Sequence, residues 1–403
     1  MKSLKALYRI GAGPSSSHTM GPERIARRFL SMFPDAGHYR VTLYGSLAAT
    51  GRGHGTDAVI RRVMPTGTEV LFCTDDTPIE HPNTMDLTAV YGDREETRRA
   101  YSLGGGAIAF RGEENEEEPE VYALSTFREI ADLCRTRGRR LSDYVFDAEG
   151  EEIRDYLGTV WHTMCACIDE GLHTTGVLPG GLGVMRKAHD LYCGGGNGEG
   201  AGVAEDRLVC AYAYATAEQN AAGGTVVTAP TCGSAGVMPA ALRYMQETHG
   251  FTDAQIVRAL AAGGLIGNLI KTNASISGAE CGCQAEIGSA TSMTAAALTE
   301  LFERPIAELE YAAELSMEHH LGLTCDPVRG LVQIPCIERN AVAALRAINA
   351  LSLSGFLCNT RKVSFDTIVR TMYETGRDLG SGYRETSEKG LASLYRDRDE
   401  GRA

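Results

Sequence analysis

At Thr126 the hydrophobic pattern of this 403-residue chain changes period, and that change constrains the fold more than any other feature. Before it, Tyr39 to Tyr44, Glu69 to Thr74, Met85 to Tyr91 and Val121 to Ser125 are β-rich, with Gly, Pro, Asn and Asp between them, the pattern of short strands and turns. One helix interrupts the strands. Pro22 suits a first helical turn and Ile25, Phe29, Leu30 and Phe33 follow at helical spacing, which makes Ser15 to Thr19 the loop entering its N-terminus. Thr126-Phe-Arg-Glu then reads as a capping box, and from there helical periodicity with high Ala, Gly and Met content runs to the end. Segments 207–220, 253–271, 288–302, 306–320 and 337–352 read as helices whose small residues let backbones pack closely. The expected fold class is α+β with two domains: an α/β unit over 1–125, a connecting helical segment over 126–155, and an all-helical unit over 156–403.

Charge narrows the partner. The formal net charge is -13 and no Lys/Arg cluster or aromatic-basic stripe is present, which argues against nucleic acid and acidic membrane surfaces and leaves a small molecule. The start MKSLKALYRIGAG lacks a signal-peptide apolar core, and the longest uncharged apolar stretch, 259–270, is too short to span a bilayer. A cytoplasmic location is expected, and with it twelve reduced cysteines, available for metal or catalysis or simply packed in cores. The acidic run 113–118 reads as a solvated hairpin tip.

Three thiols stand apart. Cys283 (Gly-Cys-Gln), Cys325 (Thr-Cys-Asp-Pro) and Cys336 (Pro-Cys-Ile-Glu-Arg-Asn) lie in small polar contexts rather than in apolar runs. Four thiolates close a zinc or iron–sulfur site, whereas three leave a coordination position for substrate. Their spacing matches no zinc knuckle or ferredoxin, but Pro327 and Pro335 are expected to place Cys325 and Cys336 in turns, where a sulfur can point outward. In Cys281-Gly-Cys283 the glycine lets either sulfur turn toward a metal, and Cys232 is a weaker candidate. His162, Cys165 and Cys167 imitate a metal motif, but residues two apart on a helix point about 200° apart and cannot share an ion.

Two segments suit a polar substrate. Ser15, Ser16, Ser17, His18 and Thr19 precede a helix N-terminus, where amides and hydroxyls bind a carboxylate; a helix cap alone would explain one hydroxyl, not three serines and a histidine. In Tyr44-Gly-Ser-Leu-Ala-Ala-Thr-Gly-Arg-Gly-His-Gly-Thr-Asp57, glycines hold His54 where a neutral imidazole could take a proton, with Asp57 as orienting carboxylate.

Together SSSHTMGP, YGSLAATGRGHGTD, HPNTM, YSLGGGA, NAAGGTVVTAPT, NASISGAE, GCQAE, MEHHLGLTCDP, VQIPCIERN and YRETSEKGLA resemble the single-chain, iron–sulfur-dependent L-serine dehydratases (L-serine ammonia-lyases), in the family's order and over nearly the whole chain. The resemblance implies a 4Fe-4S cluster on Cys283, Cys325 and Cys336 whose open iron acts as a Lewis acid on L-serine. It also implies His54 as base, with His18 a second catalytic candidate. Ser15, Ser16, Ser17, Thr19 and Ser46 would grip the substrate, and Asn273, Ser275 and Ser277 would line the site. Pyruvate and ammonia would be the products. The resemblance further implies a beta-type α/β domain similar to the allosteric substrate-binding domain of phosphoglycerate dehydrogenases, joined to an alpha-type helical cluster domain, in a homodimer. From the residues alone His18, His54 and His319 all stay open as the base. The chain departs from the family in two places: no thiol lies near its end to cap the iron, and Cys281 stands where an aliphatic residue is expected. Other readings are an iron–sulfur dehydratase of another small hydroxy acid or hydroxy amino acid, a serine or iron sensor with a fourth protein ligand, and a pyridoxal-phosphate enzyme. The last rests on the glycine run 194–200 alone, with Lys187 and Lys271 wrongly placed for a Schiff base.

Overall fold

The computed structural model describes residues 1–74, 78–113, 120–196 and 198–399. Most of the acidic run at 113–118 and one residue of the glycine run at 194–200 therefore lie outside the described residues.

Five strands form one twisted sheet: β2 (His38–Leu43), β3 (Glu69–Phe72), β4 (Thr84–Tyr91), β5 (Arg94–Gly104) and β6 (Ala107–Phe110), in the order β3-β2-β4-β5-β6. Only the β2–β3 pair is parallel, joined through the helix Thr56–Val63. The alternation of β2 puts Tyr39, Val41 and Leu43 inward, where they meet Ile25 and Phe29 of the helix Gly21–Met32 and Val59 and Ile60 of Thr56–Val63. On the opposite face, directly paired residues match in charge and chemistry: Arg99 Nε donates to Asp86 at 2.8 Å, and the Thr88 and Thr97 hydroxyls lie 2.9 Å apart.

The remainder is helical. Every residue of the helix Ser289–Leu301 is buried, so its hydroxyls cannot face water and bond the previous turn instead; Thr291, Thr294 and Thr299 donate to the carbonyls of Ile287, Ala290 and Ala295. Against it lies Asp253–Asn273, whose glycines set the approach distance: a Cβ on Gly263 would sit 2.7 Å from the Met293 carbonyl oxygen. The chain start joins this body. Leu4, Leu7 and Tyr8 belong to the helical core, and β1 (Ile10–Ala12) pairs antiparallel with β7 (Thr225–Val227), so the first dozen residues of the expected 1–125 unit pack with the helices.

Three local expectations are corrected. Val121 to Ser125 is not a strand; it runs as a connection, with Val121 and Tyr122 donating to the Met1 carbonyl. Strands β5 and β6, which carry the YSLGGGA motif, were not foreseen. Ser15 to Thr19 is not a loop either, because Ser16–Met20 forms a wide helical turn that runs directly into Gly21–Met32. One helix, Cys336–Thr360, is long and apolar enough to cross a membrane by length and composition, a possibility the 259–270 stretch did not reveal. It packs in the helical body, where Asn340 accepts from the Gly236 N–H and donates to the Gly233 carbonyl.

Candidate active site between the sheet and the helices

His18 arrives from the turn before Gly21–Met32 and His54 from the turn before Thr56–Val63, and they stack with ring centroids 4.4 Å apart, both fully buried. Each is anchored by a hydroxyl of the other's segment: Thr19 donates to the His54 carbonyl at 3.0 Å and Thr56 to the His18 carbonyl at 2.7 Å. Hydrogen-bond accounting fixes the tautomers. His54 Nδ1 lies 3.0 Å from the Thr50 carbonyl, which can only accept, so Nδ1 carries the proton and Nε2 keeps its lone pair. The Ser46 and Thr50 hydroxyls already donate to the carbonyls of Glu385 and Ser46, so His18 Nε2 must donate to them, and its Nδ1 accepts from Ser17 at 2.9 Å. His18 is thus engaged at both ring nitrogens, whereas His54 Nε2 is open. The orienting group is the Thr50 carbonyl rather than the expected Asp57, which sits in the first turn of Thr56–Val63.

Both imidazoles face one carboxyl group that sequence reasoning missed. Glu385 Oε1 lies 3.5 Å from His18 Nδ1 and 3.7 Å from His54 Nε2. Its backbone is left-handed at φ 59°, as is that of Ser387 at φ 57°, conformations that non-glycine residues keep only when neighbours hold them. Here the Glu385 N–H donates to the Cys325 carbonyl at 2.8 Å, its carbonyl accepts from Ser46 at 2.9 Å, and Ser387 donates to the Pro327 carbonyl. The ligating atoms of His18, His54 and Glu385 lie within 4.8 Å of one another, a possible cation site among the described residues.

The thiols of Cys283, Cys325 and Cys336 line a single cavity together with Ser15, His54, Glu286 and Glu385. The Cys325 thiol donates to Cys283 and holds it down, to about 6, helped by the Arg339 guanidinium; Cys325 is correspondingly pushed up. Burial pushes Cys336 up as well. Arg339 follows Cys336 by three residues, and Glu286 follows Cys283 by three, the helical spacing that puts each beside its cysteine. That spacing was the signal available in the sequence for both. The Glu286 carboxyl accepts from Thr231 at 2.8 Å, and burial, with Cys283 adding, raises it to about 8. Burial, reinforced by Glu286 and Cys283, raises Glu385 well above the usual carboxylate range. Burial holds His54 down to about 4, and burial with His54 alongside holds His18 well below an ordinary imidazole.

The other expected residues divide. Ser15 lines the cavity, while the hydroxyls of Ser17, Thr19 and Ser46 are committed to His18, the His54 carbonyl and the Glu385 carbonyl; Ser16 is buried in the same turn. Ser277 is buried with no partner for its hydroxyl among the described residues, beside Gly278, where a Cβ would sit 3.2 Å from the Cys325 sulfur. Ser275 instead donates to Glu280. Asn273 is exposed and donates to the Ser125 and Leu269 carbonyls, which ties off a helix end outside the cavity. His319 is exposed at the end of Ile306–Glu318. Gly282, at φ 73°, turns Cys281 away from Cys283 to line a different cleft, and Cys232 packs against Met20. His162 pairs with Asp253 on the surface. Lys187 lies 3.8 Å from Glu338, and Lys271 donates to the Ala6 carbonyl.

The family description "Serine dehydratase alpha chain" matches residues 81–392 and "Serine dehydratase beta chain" matches 3–64. The L-serine dehydratase of Haemophilus influenzae is 39% identical, with 97% of this chain and 99% of the relative covered. That of Streptomyces coelicolor is 40% identical over 97% and 98%, and L-serine dehydratase 1 of Escherichia coli 39% over 97% and 99%. This chain belongs to the serine dehydratase family. In this serine dehydratase the alpha-chain match begins at His81, so it includes strands β4 to β6 and crosses from the sheet into the helices. The donor set also fits the cofactor that the resemblance implies: three thiols around one cavity, one of them favoured as thiolate beside an arginine, suit a cluster held by three cysteines.

Proposed function

We propose that this serine dehydratase is an L-serine ammonia-lyase, converting L-serine to pyruvate and ammonia, and that Cys283, Cys325 and Cys336 hold a 4Fe-4S cluster. The observation that carries the reading is the joint presence of three thiols and an imidazole with an open Nε2 around one cavity. When bound, the cluster supplies Lewis acidity toward the substrate hydroxyl, which makes hydroxide a better leaving group. His54 Nε2, oriented by the Thr50 carbonyl and neutral at physiological pH, takes the α-proton. Glu385, kept protonated by burial beside other acids, supplies a proton to the departing hydroxide. This proton-handling role suits His18, His54 and Glu385 better than a second metal does, because both His18 nitrogens are already engaged. Ser15 and the unpartnered Ser277 hydroxyl receive the polar groups of the substrate. Burial of both imidazoles excludes bulk water. The eliminated aminoacrylate tautomerises to an imine, which hydrolyses.

The same proposal includes a homodimer in the cytoplasm and a regulatory, serine-binding role for the sheet unit, like the allosteric domain of phosphoglycerate dehydrogenases. Turning Cys281 and Cys232 away from the cavity counts against a sensor with a fourth protein ligand. Cys325→Ser should lose both iron and serine-dependent pyruvate formation, while Cys281→Ser should keep both. Retained turnover in Cys325→Ser would sink the assignment.

A further inference from the structure

The segment Ser381–Ser387 is a wall with two sides. Glu385 faces the thiol cavity, while Arg384 and Thr386, its neighbours on either side, face a cleft of about 640 Å³ between sheet and helices. The left-handed backbone at Glu385 turns its side chain to the side opposite Arg384 and Thr386, so the two spaces share one wall. Ser46 links them further, since it lines the cleft while its hydroxyl contacts His18 and the Glu385 carbonyl.

The cleft carries charges of both signs. Arg384 Nη1 donates to the Glu280 carbonyl at 3.3 Å, but its Nε is buried with no partner among the described residues. Arg377, on the helix Phe365–Asp378, lies over the Tyr373 ring and makes no ion pair with a carboxylate among the described residues. On the other side stands Glu280, placed by Ser275 and by His81 at 3.7 Å, with the exposed Glu388 at the rim. A buried guanidinium N–H without an acceptor is costly unless a ligand supplies one. Two guanidinium groups facing carboxylates match a zwitterion, with its carboxylate on Arg384 and its ammonium toward Glu280. A polyanion would be repelled by the two acids.

We infer that this cleft is the port of the catalytic cavity, binding a small α-amino carboxylate through Arg384 and Arg377 before the Ser381–Ser387 strap lets it pass. The inference rests on the proposed serine reaction for the identity of its ligand.

The test measures steady-state kinetics of the holoenzyme with L-serine for Arg384→Gln and Arg377→Gln, together with inhibition by pyruvate. Losing one charge-assisted hydrogen bond should raise KM by roughly tenfold or more and weaken pyruvate inhibition in proportion, while kcat falls much less. Arg384→Lys should recover part of the loss. Calorimetric titration with L-alanine, which has the carboxylate and ammonium but no hydroxyl to eliminate, reads the cleft without turnover. L-Alanine should bind the wild type and bind Arg384→Gln about tenfold more weakly. If the wild type makes no pyruvate yet shows this L-alanine difference, the reaction is wrong and the port stands. Unchanged KM and unchanged L-alanine affinity in both variants overturn the port, as does a collapse of kcat at constant KM, which would make Arg384 a prop for the strap.

Discussion

His54 shows how one buried side chain ties chemistry to stability. Its Nδ1–H is spent on the Thr50 carbonyl, so Nε2 is the available base, and His54→Gln should lower kcat by about 10² to 10⁴-fold while leaving the iron content intact. Burial also lowers its pKa to about 4. In the unfolded chain an imidazole titrates near 6.5, so below that pH the unfolded state takes a proton that the folded state refuses, and stability falls as pH drops from about 6.5 to 4. The raised carboxyls of Glu286 and Glu385 act with the opposite sign, losing stability as pH rises above their unfolded range. The contribution of His54 is therefore read by difference. Relative to wild type, His54→Gln should flatten the acid-side loss between pH 6.5 and 4 by up to about 3 kcal/mol in denaturant titrations, and an unchanged difference across that window would show that His54 does not titrate there. At this scale the thiols and the serine-histidine turn were legible because their residue types are unusual in polar loops. Glu385 was legible only as part of YRETSEKGLA and not as a site residue, because a lone glutamate carries no chemistry pattern of its own, and only the left-handed backbone and the strap bring it to the imidazoles.

Among the elements, those with a solvent face carried the clearest signal. Helices Gly21–Met32 and Phe127–Arg137 keep an apolar stripe, the first opened by Pro22 and the second capped by Thr126, which accepts from the Glu129 N–H. Strand β5 was hidden because its exposed face is a run of Arg and Glu, so its alternation resembles a charged loop. Ser289–Leu301 was read as a helix over 288–302 on its small residues, although burial on all sides removes the 3.6-residue stripe. What holds such helices together is close backbone approach, and this predicts the cost of a single methyl. Gly263→Ala would push a Cβ to 2.7 Å from the Met293 carbonyl oxygen, and should destabilise by about 1–3 kcal/mol despite alanine's better helix propensity. Thermal unfolding checks it; an unchanged or raised Tm would show that the helix pair can separate freely.

For the whole molecule, the site exists only where its parts converge. The imidazoles come from residues 18 and 54, the thiols from 283, 325 and 336, and Glu385 from a strap that crosses back to Ser46. The change of period at Thr126 announced a sheet part and a helical part, yet not that residues 1–12 pack with the helices or that the cavity lies at the junction. Those facts depend on long-range pairings, such as Ile10 with Val227, which no local pattern encodes. The proposed homodimer is a matter for light scattering, which should return twice the chain mass for the holoenzyme, whereas a monomer with full activity would remove assembly from the account. The most direct test of the central claim is iron and sulfide analysis of anaerobically purified protein, with serine-dependent pyruvate formation assayed before and after brief exposure to air. About four irons per chain, as a 4Fe-4S cluster requires, and activity that disappears with the cluster are the expected results. An iron-free protein that still turns L-serine into pyruvate would contradict the claim.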